Sequence, residues 1–176
     1  FEGPVFLQKV IEKMAASGEI GLCTAGEYFD MNKPSNIIPL PEGSWGEGGF
    51  HYIWLNEWTD WTWKHVYEDE LKMKELAGRY KNARELEKRI ITQAARELML
   101  LSASDWQFLI STWAARDYAE TRIAAHHEAF QRLAQMADRA DNLSAGELSY
   151  LIDLEQRDDI FPDLDPTWFE KVEFPA

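Results

Sequence analysis

The chain has 176 residues, 45% of them hydrophobic and 28% charged, and a net charge of −13 at pH 7. This composition is typical of a globular domain with a sizeable core, and no apolar run approaches the roughly 20 residues of a membrane span. The acidic balance, without Lys and Arg clusters, excludes nucleic acid and membranes as expected partners. The single cysteine, Cys23, and the lack of a secretory signal favour a reducing, cytoplasmic location.

The first 31 residues predict a helix, a short strand and a second helix. Apolar residues recur at helical spacing over residues 4–14. Residues 20–23 form a short apolar run that predicts a strand, and Thr24 and Glu27 have the spacing of a capping box that opens a helix. This order is typical of the end of an α/β unit. Because a lone strand has no partner for its backbone groups, we expect it to need a sheet that the rest of the chain does not supply.

Residues 32–58 predict an ordered loop that faces a ligand. Three prolines are followed by four glycines, which makes the segment too long and irregular for a simple connector. Its isoleucines, tryptophans and tyrosine argue against disorder.

From residue 59 onward the pattern is helical. We predict helices over residues 61–76, ending near Gly78, over residues 83–101, and from Ser104 to Ala137. Ser144 and Glu147 have capping-box spacing and predict a further helix to about residue 155. The predicted fold is therefore mainly α, a helical bundle with a long Trp/Gly-rich loop.

Five of the eight tryptophans lie between Trp45 and Trp63. An indole can cover the apolar C–H face of a pyranose ring while nearby polar groups bind its hydroxyls. Tryptophan clusters are nevertheless most often part of a core, which is the interpretation we favour for Trp61 and Trp63, whereas Trp58 is undecided. Trp45 lies among four glycines, where neighbours able to pack around it are fewest, and we expect it to contact a ligand.

Several sequence blocks, in order, carry a family resemblance. The chain resembles the C-terminal helical domain of glycoside hydrolase family 57 α-1,4-glucan branching enzymes, with nearly complete coverage to about Phe130. The blocks are Phe1-Glu2-Gly3-Pro4, Leu40-Pro41-Glu42-Gly43-Ser44-Trp45-Gly46, Trp54, Asn56-Glu57, Ala95-Arg96-Glu97-Leu98, Ser104-Asp105-Trp106-Gln107-Phe108-Leu109 and Arg116-Asp117-Tyr118-Ala119.

The resemblance implies an enzyme in which this domain packs over the cleft of an incomplete (β/α) barrel. Residues 1–38 would then be a remnant of the last α/β unit of the barrel, and residues 39–176 the helical domain. Trp45 and Trp54 match the domain's glucan-contacting tryptophans, and Trp106 matches a further aromatic near the cleft. The resemblance implies no cofactor, with an α-glucan and the barrel as partners.

The catalytic carboxylates of such a retaining enzyme would lie in the barrel, upstream of Phe1. We therefore expect this chain alone to be inactive and, since it begins with Phe1, to be a piece of a longer protein. Two alternatives stay open. The domain could belong to a related 4-α-glucanotransferase or α-amylase, or it could be a stand-alone carbohydrate-binding or interaction module.

Other polar clusters predict no catalytic or metal site. Four acidic residues flank the tryptophans, and we expect them to hydrogen-bond sugar hydroxyls or loop amides; they are Glu42, Glu47, Glu57 and Asp60. Because adjacent helical residues point apart, His126 and His127 cannot easily share a metal. Asp158, Asp159, Asp163 and Asp165 lack calcium-loop spacing and predict a solvated acidic turn.

Overall fold

The computed structural model describes residues 2–171, which form α-helices and short 3-10 helices without any strand. The seven α-helices within this range are α1 (Glu2–Ala15), α2 (Ala25–Met31), α3 (Asp60–Tyr80), α4 (Glu85–Leu101), α5 (Asp105–Ser111), α6 (Arg116–Asp138) and α7 (Ala145–Arg157). The 3-10 helices are Glu47–Gly49, Ala140–Asn142 and Pro166–Lys171. The prediction of a mainly helical fold is confirmed.

Helices α4 and α6 pack against each other at the centre of the bundle. Helix α3 lies against both of them and against the last 3-10 helix, while α5 packs on α6 and α7 on α4. The predicted apolar stripe of α4 is buried from Ile90 to Leu101, with Leu86 half-buried at its edge. The largest fully buried side chains are Met73, Leu76, Ile90, Ile91, Leu98, Leu101, Ile110, Ile123, Phe130, Leu133, Met136 and Leu151.

Two predicted helix boundaries are wrong. Helix α3 continues through Gly78 to Tyr80, because one helical glycine costs only about 1 kcal/mol and packing of the neighbouring Leu76 and Ala77 outweighs it. The single helix predicted from Ser104 to Ala137 is divided into α5 and α6. Between them Trp113 has a φ of 57°, a left-handed conformation that no α-helix accommodates.

A buried polar network joins the central helices. His126 on α6 lies 2.7 Å through Nδ1 from a carboxylate oxygen of Glu97 on α4, and both side chains are fully buried. The other ring nitrogen of His126 lies 2.8 Å from a guanidinium nitrogen of Arg122. Asp158 is also buried and is paired with Arg157 at 2.8 Å, so this aspartate is not part of a solvated turn as predicted.

The chain divides into two compact units, Phe1–Glu42 and Gly43–Ala176. In the first unit the predicted capping box is present, since the Thr24 amide donates to the Glu27 carboxylate at 2.7 Å. Residues 20–23 have no regular secondary structure instead of the predicted strand, since residues 2–171 contain no strand that could pair with them. The assignment of this unit to a barrel stays a prediction. No α-helix within residues 2–171 is both long and apolar enough to cross a bilayer.

Candidate functional site

The glycine-rich part of the loop is closed into a tight ring by Ser44. The Ser44 amide donates to the Gly49 carbonyl at 2.8 Å, and the Ser44 hydroxyl donates to the Phe50 carbonyl at 2.5 Å. Gly48 and Gly49 have φ values of 67° and 77°, which glycine adopts without strain. At Gly46 a Cβ atom would lie 2.6 Å from the Phe50 carbonyl oxygen. The glycines are therefore needed for the close turn that presents Trp45.

The next turn is anchored to the bundle by Asn56. This buried side chain donates to the Tyr52 carbonyl at 2.6 Å and to the Ser111 hydroxyl at 2.7 Å. Ser111, at the end of α5, in turn donates to the Ile53 carbonyl at 2.6 Å. The Trp54 carbonyl accepts from the Thr59 hydroxyl at 2.9 Å. These bonds hold the backbone of Trp54 at a defined position beside α5.

Trp45 and Trp54 meet beside α5 and line one open cleft. Their ring centroids are 5.1 Å apart and the rings are nearly perpendicular, at 73°. Phe108 lies 5.6 Å from Trp45 at 35°. The cleft has a volume of about 230 Å³, and Ser104 and Asp105 complete its lining. Trp45 is 77% exposed although it contacts two aromatic rings, so most of its indole surface faces solvent.

Trp106 does not line this cleft. Its indole N–H donates to the Leu100 carbonyl at 2.7 Å, and its ring packs against the core and edge-on to Tyr118 at 6.1 Å. Three other residues of the same α5 segment face Trp45 instead, namely Ser104, Asp105 and Phe108. Helical spacing of three and four residues could have identified them, because it puts residues 104, 105 and 108 on one face.

The remaining tryptophans of the loop are half-buried. Trp58 and Trp61 pack against the core, and the Trp61 indole donates to the Trp58 carbonyl at 2.9 Å. Trp63 stacks on Tyr67 with centroids 5.9 Å apart, and its indole donates to the Trp54 carbonyl at 2.8 Å. Core packing is therefore confirmed for Trp61. Trp63 instead supports the Trp54 turn.

Two of the flanking carboxylates bond within the loop. Glu57 accepts from the Tyr52 hydroxyl at 3.2 Å, and the desolvation of this hydroxyl, together with the charge of Glu57, raises the pKa of Tyr52. Asp60 accepts from the Trp61 amide at 2.7 Å at the start of α3. In the cleft itself the acidic side chain is Asp105. A carboxylate beside aromatic rings is a lining that can bind a neutral polyol.

Residues 65–169 match the protein family described as "1,4-alpha-glucan branching enzyme, C-terminal", which is well over half of the chain. The chain belongs to this family. It is 40% identical over 162 residues to a 1,4-alpha-glucan branching enzyme of Thermococcus kodakarensis, and 27% identical over 145 residues to a probable 1,4-alpha-glucan branching enzyme of Mycobacterium tuberculosis. These alignments cover 92% and 76% of this chain but only 24% and 26% of the relatives.

Solved structures of larger enzymes share the fold. The whole chain matches a third of a GH57-type branching enzyme from Pyrococcus horikoshii, with a TM-score of 0.76 and 36% identity. The Thermococcus kodakaraensis branching enzyme, solved in complex with glucose, gives 0.74 and 38%, over 99% of this chain and 32% of that one. An α-amylase from Thermotoga maritima gives 0.65 and 27%, over 99% and 31%. Membership of the C-terminal branching-enzyme family therefore disfavours the alternative that the chain is a stand-alone module.

Proposed function

We propose that this domain holds an α-1,4-glucan chain for a branching enzyme, and that Trp45 is the principal platform. The single observation that carries the proposal is the Trp45 indole, which is 77% exposed and contacts the rings of Trp54 and Phe108. An exposed ring whose orientation is favoured by its neighbours loses less side-chain entropy on stacking against a sugar than an isolated one.

The polar lining supports the same ligand class. The hydroxyl of Ser104 and the carboxylate of Asp105 stand at the edge of the cleft, where they can bond the equatorial hydroxyls of a pyranose. A cleft of about 230 Å³ suits one or two sugar residues of a longer chain. We infer that Trp54 contributes a second aromatic surface. The role of Trp106 in glucan contact stays a prediction. Because Trp106 lies on the other side of α5, we expect it to contribute less to glucan binding than Trp45.

The first unit supports a larger enzyme as partner. None of the described residues 2–42 is buried, although this segment carries many large apolar side chains. The exposed ones include Val5, Phe6, Leu7, Ile11, Ile20, Leu22, Tyr28, Phe29 and Met31. Large apolar side chains exposed in this number are typical of an interface. We infer that it packs on the barrel of the parent enzyme, which would supply the catalytic carboxylates for transfer of a glucan segment to a 6-hydroxyl.

The binding proposal is tested by titrating the 176-residue chain with maltoheptaose in a calorimeter. We expect Trp45→Ala to weaken binding by about tenfold, or about 1.4 kcal/mol. The matched control is Trp168→Ala, which removes another exposed indole, 59% accessible, outside the cleft. Equal affinity of Trp45→Ala and the unchanged chain would contradict the proposal, as would an equal loss in Trp168→Ala.

A further inference from the structure

His65 and Glu68 on α3 and His127 on α6 converge at a place remote in sequence from the loop. Each of the three side chains brings one potential ligand atom, an imidazole nitrogen or a carboxylate oxygen, within 4.8 Å of the other two. Ligands of a tetrahedral zinc ion lie about 2.0–2.2 Å from the metal and hence roughly 3.3–3.6 Å from one another. Small side-chain rotations would bring the three atoms to that separation.

A buried carboxylate orients one of the histidines. Asp69 is fully buried and lies 2.9 Å through Oδ2 from His127 Nδ1, while the Gln131 amide donates to its other oxygen at 2.6 Å. A proton on Nδ1 that is donated to Asp69 leaves the Nε2 lone pair of His127 available to a cation. Carboxylate–histidine pairs of this kind commonly support metal-binding histidines in proteins.

The second histidine has a nitrogen that lacks a partner. His65 Nδ1 is buried and accepts or donates no hydrogen bond within residues 2–171, and the two imidazole rings are 4.0 Å apart and tilted by 34°. An unsatisfied buried nitrogen is costly. A ring nitrogen without a hydrogen-bond partner can offer its lone pair to a cation.

The buried cluster of Glu97, His126 and Asp158 provides a contrast. There both nitrogens of the His126 ring are engaged, one with Glu97 and one with Arg122. Asp158 is paired with Arg157. The guanidinium of Arg122 therefore already lies beside His126, where a metal ion would have to bind. Of the two histidine clusters found in the described residues, only the one on α3 and α6 has ring nitrogens to offer.

We propose that His65, Glu68 and His127 form a binding site for a divalent transition-metal ion of the zinc class. Two imidazoles and one carboxylate are a donor set that Zn²⁺, Co²⁺ and Ni²⁺ accept, and three protein ligands leave a coordination position for water. The Glu68 side chain is 51% exposed, and its nearest cation, Lys64 Nζ, is 3.9 Å away, so the carboxylate can turn toward an ion. A bound ion joins α3 to α6 directly.

The site is tested with the 176-residue chain, freed of metal by chelation and dialysis. Zn²⁺ is titrated calorimetrically, and Co²⁺ is followed by its visible d–d absorption. We expect one ion per chain, with cobalt bands of four- or five-coordinate geometry. His127→Ala and Glu68→Gln should each weaken binding at least about tenfold, and Asp69→Asn, which alters orientation only, by about 10–100-fold.

Two controls keep the result interpretable. His51→Ala removes a histidine of the loop and should leave the stoichiometry and affinity unchanged. Glu68→Gln changes an exposed side chain, so this variant folds even if the variants of buried Asp69 or half-buried His127 do not, as checked by far-UV circular dichroism. The calorimetric assay uses about 100 µM protein. The proposal is overturned if the chain does not bind one equivalent of Zn²⁺ at that concentration. It is equally overturned if binding survives in Glu68→Gln and His127→Ala, or is lost in His51→Ala.

Discussion

At Gly46 the loop leaves no space for a side chain. A methyl group there would lie 2.6 Å from the Phe50 carbonyl oxygen and 3.3 Å from the Trp54 ring. Forcing extra volume into packed surroundings typically costs about 1–3 kcal/mol. We expect Gly46→Ala to disrupt the hydrogen bonds by which Ser44 closes the loop. The substitution should also change the near-UV circular dichroism of the Trp45–Trp54 pair and weaken maltoheptaose binding.

Gly43→Ala is the matched control for this change. A Cβ atom at Gly43 would lie 3.5 Å from the Gly49 carbonyl oxygen, which is ordinary van der Waals contact. This variant should keep both the dichroism and the affinity of the unchanged chain. If Gly46→Ala and Gly43→Ala behaved alike, the close approach at Gly46 would not determine how the cleft is formed.

At the scale of the elements, the segment over residues 20–23 has no strand partner. Its side chains are exposed and its backbone has no regular secondary structure. Amides without a protein acceptor exchange quickly with solvent, whereas those of a core helix exchange only on large-scale opening. We expect hydrogen exchange in the chain alone to be fast at residues 20–23 and slower by orders of magnitude over α4.

The same segment should become protected in a full-length branching enzyme that carries this domain, where a sheet can pair with it. Slow exchange at residues 20–23 in the 176-residue chain, matching α4, would mean that the segment has another partner, such as the same strand of a second copy. A dimer detected by light scattering would identify that case.

The helices themselves could be predicted well where one local signal dominates. The capping boxes at Thr24 and Ser144 are both present, and α4 follows its apolar stripe. The division between α5 and α6 could not be predicted, because it depends on a left-handed Trp113, a conformation that non-glycine residues seldom adopt. The family resemblance singled out Trp45 and Trp54, but their meeting beside α5 could not be predicted, since that contact is long-range in sequence.

The proposed metal site could not be predicted from the sequence, because its residues lie on two different helices. Adjacent His126 and His127 do point apart, as expected, and each enters a different cluster. His65 and Glu68 have the three-residue helical spacing of paired ligands, but His127 follows more than fifty residues later. Only the packing of α3 on α6 brings them together.

At the scale of the whole molecule, one unit has a buried core and the other does not. The core lies within Gly43–Ala176, while the described residues of Phe1–Glu42 bury no side chain. A domain with its own core can fold independently, whereas exposed apolar helices need a partner surface. This asymmetry is consistent with the proposal that the first unit packs on another part of a larger enzyme.

The role of Trp45 as a glucan platform is tested most directly in a full-length branching enzyme that carries this domain. There the stability and the activity of Trp45→Ala are compared. Because Trp45 is mostly exposed, we expect its loss to change the free energy of unfolding by no more than about 0.5 kcal/mol and to leave the melting temperature nearly unchanged. Branching of long amylose, followed by iodine staining, should fall sharply. A stability loss of about 3–5 kcal/mol, as for a buried tryptophan, with normal specific activity of the remaining folded enzyme would contradict the account.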